Sequence, residues 1–331
     1  MRLRQAVVAS AAAVLVAGLG AACSEPPPPG ASDLVDPGTP APKPSPTPSL
    51  PAGPLSGQPL AQPAVAGRQA IAVPIRATAT GTPVGLDVAD VVYQEFAESG
   101  SLHLSAVYQS RDAAKIGPVT EVRPVDIRSV GVLHPWLGYA GGPTGFVNQL
   151  AAADLTGVTP AERGAAFPSG YTSTTALRAA APKGGTAPAP LFDYATPGTP
   201  LGTEGVTPAG KLTITAAGHA TQTWSYDQAS GQWVGQVGKA KVKAASVIVL
   251  TMEYRTLTVR KPSPRSLPSA MVYGKGKAVV VSGPSSARAA WSKPGQKLVC
   301  NVTDPAGYQI RPQPGTAWVI YAPTTARVAV T

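Results

Sequence analysis

Proline confines the part of this chain that can fold. Fourteen of its 37 prolines fall in the 45 residues from Ser24 to Arg68, a stretch with five charged residues and no aromatic one. Proline fixes φ at about −65° and has no N–H to donate, so a segment this rich in it builds neither interior helix nor paired strand. With little apolar surface to bury, residues 23–68 are expected to be a disordered, extended tether, spanning roughly 140 Å at ~3.1 Å per residue. The folded body is thereby expected at 69–331.

What precedes the tether explains why one is needed. Arg2 and Arg4 are followed by an uncharged apolar run from Ala6 to Gly20 and then by Ala21-Ala22-Cys23. A cationic start, a short apolar stretch and small residues before a cleavage point form a secretory signal over 1–22, too short to span a bilayer. The segment Leu19-Gly20-Ala21-Ala22-Cys23 is similar to a bacterial lipobox, with Gly20 where Leu is usual. Cys23 is therefore the expected lipidation site, and two or three acyl chains would hold the protein at the outer face of the membrane. Cys300, the other cysteine, lies in the alternating run Leu298-Val299-Cys300-Asn301-Val302 and is expected to be a buried strand residue. With two Cys and three His, the chain is no disulfide scaffold and no His/Cys zinc module. Neither a metal nor a cofactor is expected.

The body reads as two halves. In 69–204, Ala70–Arg76, Asp90–Ala97, Leu102–Gln109 and Pro135–Ala140 have strand texture. Glu98-Ser99-Gly100-Ser101 makes a hairpin turn. Arg123–Val132 and Phe146–Ala153 read as helices, the first with Pro124 in the first turn, where proline is tolerated. This is an α/β domain. In 205–331 the pattern becomes mostly β: Lys211–Thr215, Thr221–Tyr226, Gln232–Val237, Ser246–Leu257, Ala270–Tyr273, Ala278–Val281, Ala287–Trp291, Lys297–Thr303 and Ala317–Tyr321. Pro197, Pro200 and Pro208 mark the joint.

Charge divides along the same line. The whole chain is +10; without Arg2 and Arg4 it is +8. Residues 205–297 hold 13 Lys and Arg against Asp227 and Glu253, hence +11, which leaves −3 for the remainder. So concentrated a positive field attracts anions. For an exported protein the anions within reach are envelope polymers and lipid headgroups rather than nucleic acid; a basic surface kept for solubility is the other reading.

Several segments in order carry a resemblance. They are Gly85-Leu86-Asp87-Val88-Ala89-Asp90-Val91-Val92-Tyr93 leading to Glu95 and Glu98, Ile116-Gly117-Pro118-Val119-Thr120-Glu121-Val122-Arg123-Pro124-Val125-Asp126, and Ala140-Gly141-Gly142. In the second half they are Trp224-Ser225-Tyr226-Asp227, the Val247–Tyr254 strand, Gly274-Lys275-Gly276-Lys277, Trp291 with Lys293, and Pro314-Gly315-Thr316-Ala317-Trp318-Val319. Together, from about 70 to 325, they resemble the YerB family of bacterial lipoproteins, which has an N-terminal domain of unknown function and a C-terminal partner domain. The resemblance implies a membrane-anchored extracytoplasmic protein and assigns no activity. The chain is divergent. Pro74-Ile75-Arg76-Ala77, Leu102-His103-Leu104 and Pro168-Ser169-Gly170 stand where the family carries polar pairs.

No serine elbow, phosphate-binding loop, zinc-protease helix or paired Cys-x-x-Cys is present. His103, His134 and His219 are far apart and read as surface or satisfied core residues. Glu95 and Glu98 are the best acid pair, but on one strand they face opposite ways unless the backbone bends at Glu98. Glu95, if inward, is the expected partner of Arg123. The turn at Gly141-Gly142-Pro143-Thr144 is either a tight strand-to-helix connection or an anion pocket charged by Arg123 and Arg128. The candidate pocket is thus Glu95, Glu98, Arg123, Asp126, Gly141 and Gly142. Two functions follow: a binding or scaffold protein of the envelope that recognises an anionic ligand, or a hydrolase or transferase acting on an envelope polymer through Glu95, Glu98, Arg123 and Asp126.

Overall fold

The computed structural model describes residues 50–196, 199–202, 204–260 and 264–331. The expected signal peptide, Cys23, the tether up to residue 49 and Pro197 lie outside them. Folded structure starts earlier than the proline count implies. Leu55 and Leu60 are buried, Ala52 bridges Pro59, and the Gly315 N–H donates to the Ser56 carbonyl at 2.7 Å. Residues 50–68 thus belong to the body: their few leucines find apolar partners, and their prolines occupy turns and a short 3-10 segment at Pro63–Gly67.

The first half supplies β1 (Ile71–Ala77), β2 (Val91–Phe96), β3 (Leu102–Tyr108), α1 (Pro124–Val130), β4 (Trp136–Gly138), α2 (Thr144–Ala152), β5 (Thr156–Val158) and α3 (Thr174–Ala180). The second supplies β6 (Val206–Pro208), β7 (Lys211–Thr215), β8 (Gln222–Asp227), β9 (Gln232–Val237), β10 (Ala240–Ala244), β11 (Ser246–Met252), β12 (Tyr254–Val259) and β13 (Arg265–Ala270). It continues with β14 (Gly274–Ser282), β15 (Ser285–Lys293), β16 (Asn301–Thr303), β17 (Ala317–Pro323) and β18 (Arg327–Val330). The sequence boundaries hold to within a few residues for most elements. The run Ser246–Leu257, expected as one strand, breaks at Glu253 into β11 and β12. Of Ala270–Tyr273 only Ala270 is in a strand, as the last residue of β13. Of Lys297–Thr303 only the last three residues pair, so Cys300 stands just before β16 and is half-buried.

The mixed α/β half and the mostly β half are joined by one sheet. Among the described residues its order is β16-β15-β14-β11-β17-β2-β3-β1-β4-β5, with β6 added against β15. The seam is the parallel pair of β17 and β2, Ala317 opposite Val91 through Tyr321 opposite Glu95. Strands β2, β3 and β17 are buried on both faces, as their near-continuous apolar runs require. On one face Ile71, Val73, Leu104, Val247, Trp318 and Ile320 pack on a five-stranded antiparallel sheet, β10-β9-β8-β7-β18, through Trp224 and Trp233. On the other, Val91, Val107, Ile248 and Val319 pack on Val125, Ile127 and Val130 of α1. A buried polar chain crosses the seam: Trp318 Nε1 donates to Gln94 Oε1 at 3.0 Å, and Gln94 Nε2 donates to Gln222 Oε1 at 2.9 Å. The hairpin of β12 and β13 lies over the α1 face.

Candidate functional site

Alternation along β2 and β3 directs a set of polar side chains to the α1 face. Tyr93 and Glu95 share it on β2; His103 and Ser105 share it on β3, with Glu95 opposite His103 and Tyr93 opposite Ser105. Asp126 descends from the first turn of α1. Its Oδ2 accepts from the Arg123 backbone N–H at 2.7 Å, capping the helix that Pro124 starts. The same carboxylate accepts from His103 Nε2 at 2.8 Å and from Ser105 Oγ. His103 is therefore the member of this cluster that the sequence reading set aside. Its signal was a pair of polar residues two apart within an otherwise apolar strand.

Glu95 is deeper still. Its Oε1 accepts from the Ala270 N–H of β13 at 2.6 Å, while among the described residues neither Oε2 nor the nearby buried Ser269 Oγ has a hydrogen-bond partner. Burial pushes the Glu95 carboxyl up to about 7, against the opposing pull of His103, the Ala270 N–H and Arg123.

Arg123 does not take Glu95 as its ion-pair partner. The backbone turns through Ser99, at φ 57°, and brings Glu98 back over this face, where Arg123 Nη1 and Nη2 hold its two oxygens at 2.9 and 2.8 Å. Burial alone would raise the Glu98 carboxyl; the Arg123 hydrogen bonds and charge overcome it and take it down to about 2. Arg123 also lies 3.5 Å from Glu121, whose other oxygen accepts from Arg265 of the hairpin. Glu95, Glu98, Arg123 and Asp126 thus do gather, as a closed network: Glu95 and Asp126 are 1% exposed and Arg123 5%.

Gly141 and Gly142 do not form part of it. Their φ angles are 85° and 153°, the Gly141 carbonyl accepts from the Val122 N–H at 2.9 Å, and a Cβ on Gly142 would lie 3.2 Å from the Val122 carbonyl oxygen. Helix α2 starts at Thr144, two residues before the expected Phe146, but the charge assigned to its start is engaged elsewhere, Arg123 on Glu98 and Arg128 over the Tyr273 ring. The glycine pair is a tight connection. No cluster of three or more His, Cys, Asp or Glu among the described residues is placed to hold a metal.

An open site lies on the opposite face, between the end of β1 and the five-stranded sheet. It is a groove of about 660 Å³ whose walls include His219, Thr221, Thr223, Gln236, Lys239 and Lys241, with no carboxylate among its lining residues. The β9–β10 turn forms one wall by docking on the loop after β1: the Lys239 N–H donates to the Gly81 carbonyl at 2.8 Å, and a Cβ on Gly238 would sit 2.3 Å from that oxygen. Only glycine, at φ 58°, allows the approach. His219 sits between the carbonyls of Ala97 at 2.8 Å and Ala217 at 3.0 Å, edge-on to Phe96. Lys239, Lys241 and Lys243 alternate along one exposed face, about 7 Å apart at strand rise. The charge count pointed to this half; the groove itself depends on β10, which the sequence reading did not resolve.

Two family models match. The N-terminal domain of a protein family of unknown function, DUF3048, covers residues 55–187, and that family's C-terminal domain covers residues 212–319. No curated protein matches the chain. The crystal structure of the YerB protein from Bacillus subtilis is similar with a TM-score of 0.67 at 16% identity, over 84% of this chain and 99% of that one, a likeness of fold.

Proposed function

The chain belongs to the DUF3048 family, with both of its domains and a YerB-like fold, and from that premise we propose that it is a membrane-anchored extracytoplasmic lipoprotein that binds an anionic polymer of the cell envelope. The anchor is an acyl group on Cys23, at the outer face of the membrane. The carrying observation is the groove of His219, Thr221, Thr223, Gln236, Lys239 and Lys241: two exposed cations, hydroxyl and amide donors, and no acid. Hydroxyls and amides recognise sugar or glycerol oxygens, and lysines recognise phosphate or carboxylate as point charges. The groove lies within the stretch that carries +11. The alternative, a hydrolase or transferase using Glu95, Glu98, Arg123 and Asp126, has less support, because Glu95, Asp126 and Arg123 are buried beneath the β12–β13 hairpin.

The test is equilibrium binding of the full chain to a poly(glycerol phosphate) polymer, with neutral dextran and anionic phospholipid vesicles as comparators. The polymer is expected to bind and the dextran not. Affinity should fall as salt rises and the Debye length shrinks to about 8 Å at physiological ionic strength. Lys239→Gln with Lys241→Gln should weaken it severalfold. Salt-insensitive binding, or equal binding by the double variant, would refute the reading; a preference for the vesicles would move the ligand to lipid.

A further inference from the structure

A second cavity lies on the α1 side of the large sheet and shares no lining residue with the basic groove. Its volume is about 30 Å³, and apart from a few polar tips its walls are apolar: Ile248, Leu250, Val272, Val319 and the Tyr321 ring among them. The polar tips are unusual for such a place. Lys293 is 3% exposed, and its Nζ makes one hydrogen bond, to the Leu298 carbonyl at 2.6 Å. No carboxylate among the described residues is within ion-pair distance of it. Tyr93 is also buried, and its hydroxyl has no hydrogen-bond partner among the described residues. A buried ammonium without a counter-ion is unfavourable unless an anion arrives or the amine gives up its proton. Burial does push Lys293 down, and it pushes the adjacent Cys300 thiol up to about 12, so that thiol supplies no counter-charge near neutral pH.

A cleft of about 340 Å³ opens beside the cavity, and Leu191, Phe192, Cys300 and Val302 line both. The cleft continues over Pro190, Val299 and Ile310, with Asp193, Asn301 and Gln309 among its other walls. Joined past the shared side chains, cavity and cleft would make an apolar channel ending on the Lys293 ammonium and the Tyr93 hydroxyl. Room for about two water molecules at the inner end matches a carboxylate head, and the outer cleft takes an apolar chain.

We propose that this channel binds a single-chain amphiphile with an anionic head, of the fatty-acid class, its carboxylate held by Lys293 Nζ and the Tyr93 hydroxyl and its chain lying over Leu191, Phe192, Val302 and Ile310. The carboxylate supplies the missing counter-ion and accepts from both donors. The site is separate from the basic groove, so the polymer reading can fail while this one stands.

The experiment uses the full chain carrying Cys23→Ala, which keeps acyl chains out of the assay and leaves Cys300 as its one thiol. Dodecanoate is titrated by calorimetry beside dodecan-1-ol and dodecyltrimethylammonium, and alkylation of Cys300 is timed with and without each. A charge-assisted contact predicts that dodecanoate binds at least about tenfold more tightly than the alcohol. Bound dodecanoate should slow Cys300 alkylation, since the thiol stands where cavity and cleft meet. Lys293→Met should abolish the preference, and Tyr93→Phe should reduce it. Equal binding of acid and alcohol, no protection of Cys300, or a preference that survives Lys293→Met would overturn the proposal. The preference and the protection are both read in the unmutated channel, so the test holds even if Lys293→Met unfolds.

Discussion

Glu95→Gln should change how the stability of this protein depends on pH. The ordinary carboxyl value of 4.5 rises to about 7 in the folded chain, because the side chain is fully buried with one oxygen unpartnered. The folded state therefore holds the proton more tightly than the unfolded state. The stability this contributes is fully present below 4.5 and is lost as pH rises through about 7. At about 1.4 kcal/mol per pH unit across that gap, the loss amounts to about 3 kcal/mol. Glutamine cannot ionise, so it escapes this loss. Its amide brings a fixed cost or gain where Oε2 now has no partner, but that offset does not change with pH. Urea unfolding of both proteins at pH 5, 6, 7 and 8 checks this. The stability of Glu95→Gln relative to wild type should climb by about 2 to 3 kcal/mol from pH 5 to pH 8. A difference that stays flat across that range would show that Glu95 is charged or solvated in the native state, and the account of the closed network would be wrong.

Asp126→Ala removes the α1 cap and leaves His103 and Ser105 without their acceptor; a loss of about 3 to 5 kcal/mol is expected in urea or thermal unfolding. Leu55→Ala should cost about 2 to 5 kcal/mol by the same assays, because the segment before residue 69 is packed into the body; a loss near zero would return it to the tether. Cys23→Ala should release the protein from membranes or block its maturation, and labelling with a radioactive fatty acid should mark wild type and not the variant.

The parts of the fold legible in the sequence are those set by near neighbours. The β2–β3 hairpin followed from two apolar runs around Glu98-Ser99-Gly100-Ser101, and α1 from Pro124 at an allowed first-turn position. The seam between the halves was not legible, because β17 pairs with β2 across more than two hundred residues and a parallel pair leaves no local turn to find. Reading Ser246–Leu257 as one strand hid the β12–β13 hairpin, and with it the contact that closes over Glu95. Of the expected pocket residues, Glu95, Glu98, Arg123 and Asp126 come together, joined by His103, Ser105 and Glu121, while Gly141 and Gly142 stay outside. The pairing was not legible, because the left-handed turn at Ser99 decides that Glu98, rather than Glu95, reaches Arg123.

If the groove beside Lys239 and Lys241 takes an anionic polymer, hydrogen exchange of the full chain, followed by mass spectrometry with and without poly(glycerol phosphate), will show it. Exchange should slow in 77–79, 219–223 and 234–241, segments that line the groove, with the protection fading as salt is raised. Protection confined to other segments, or none at a polymer concentration that saturates binding, would contradict it.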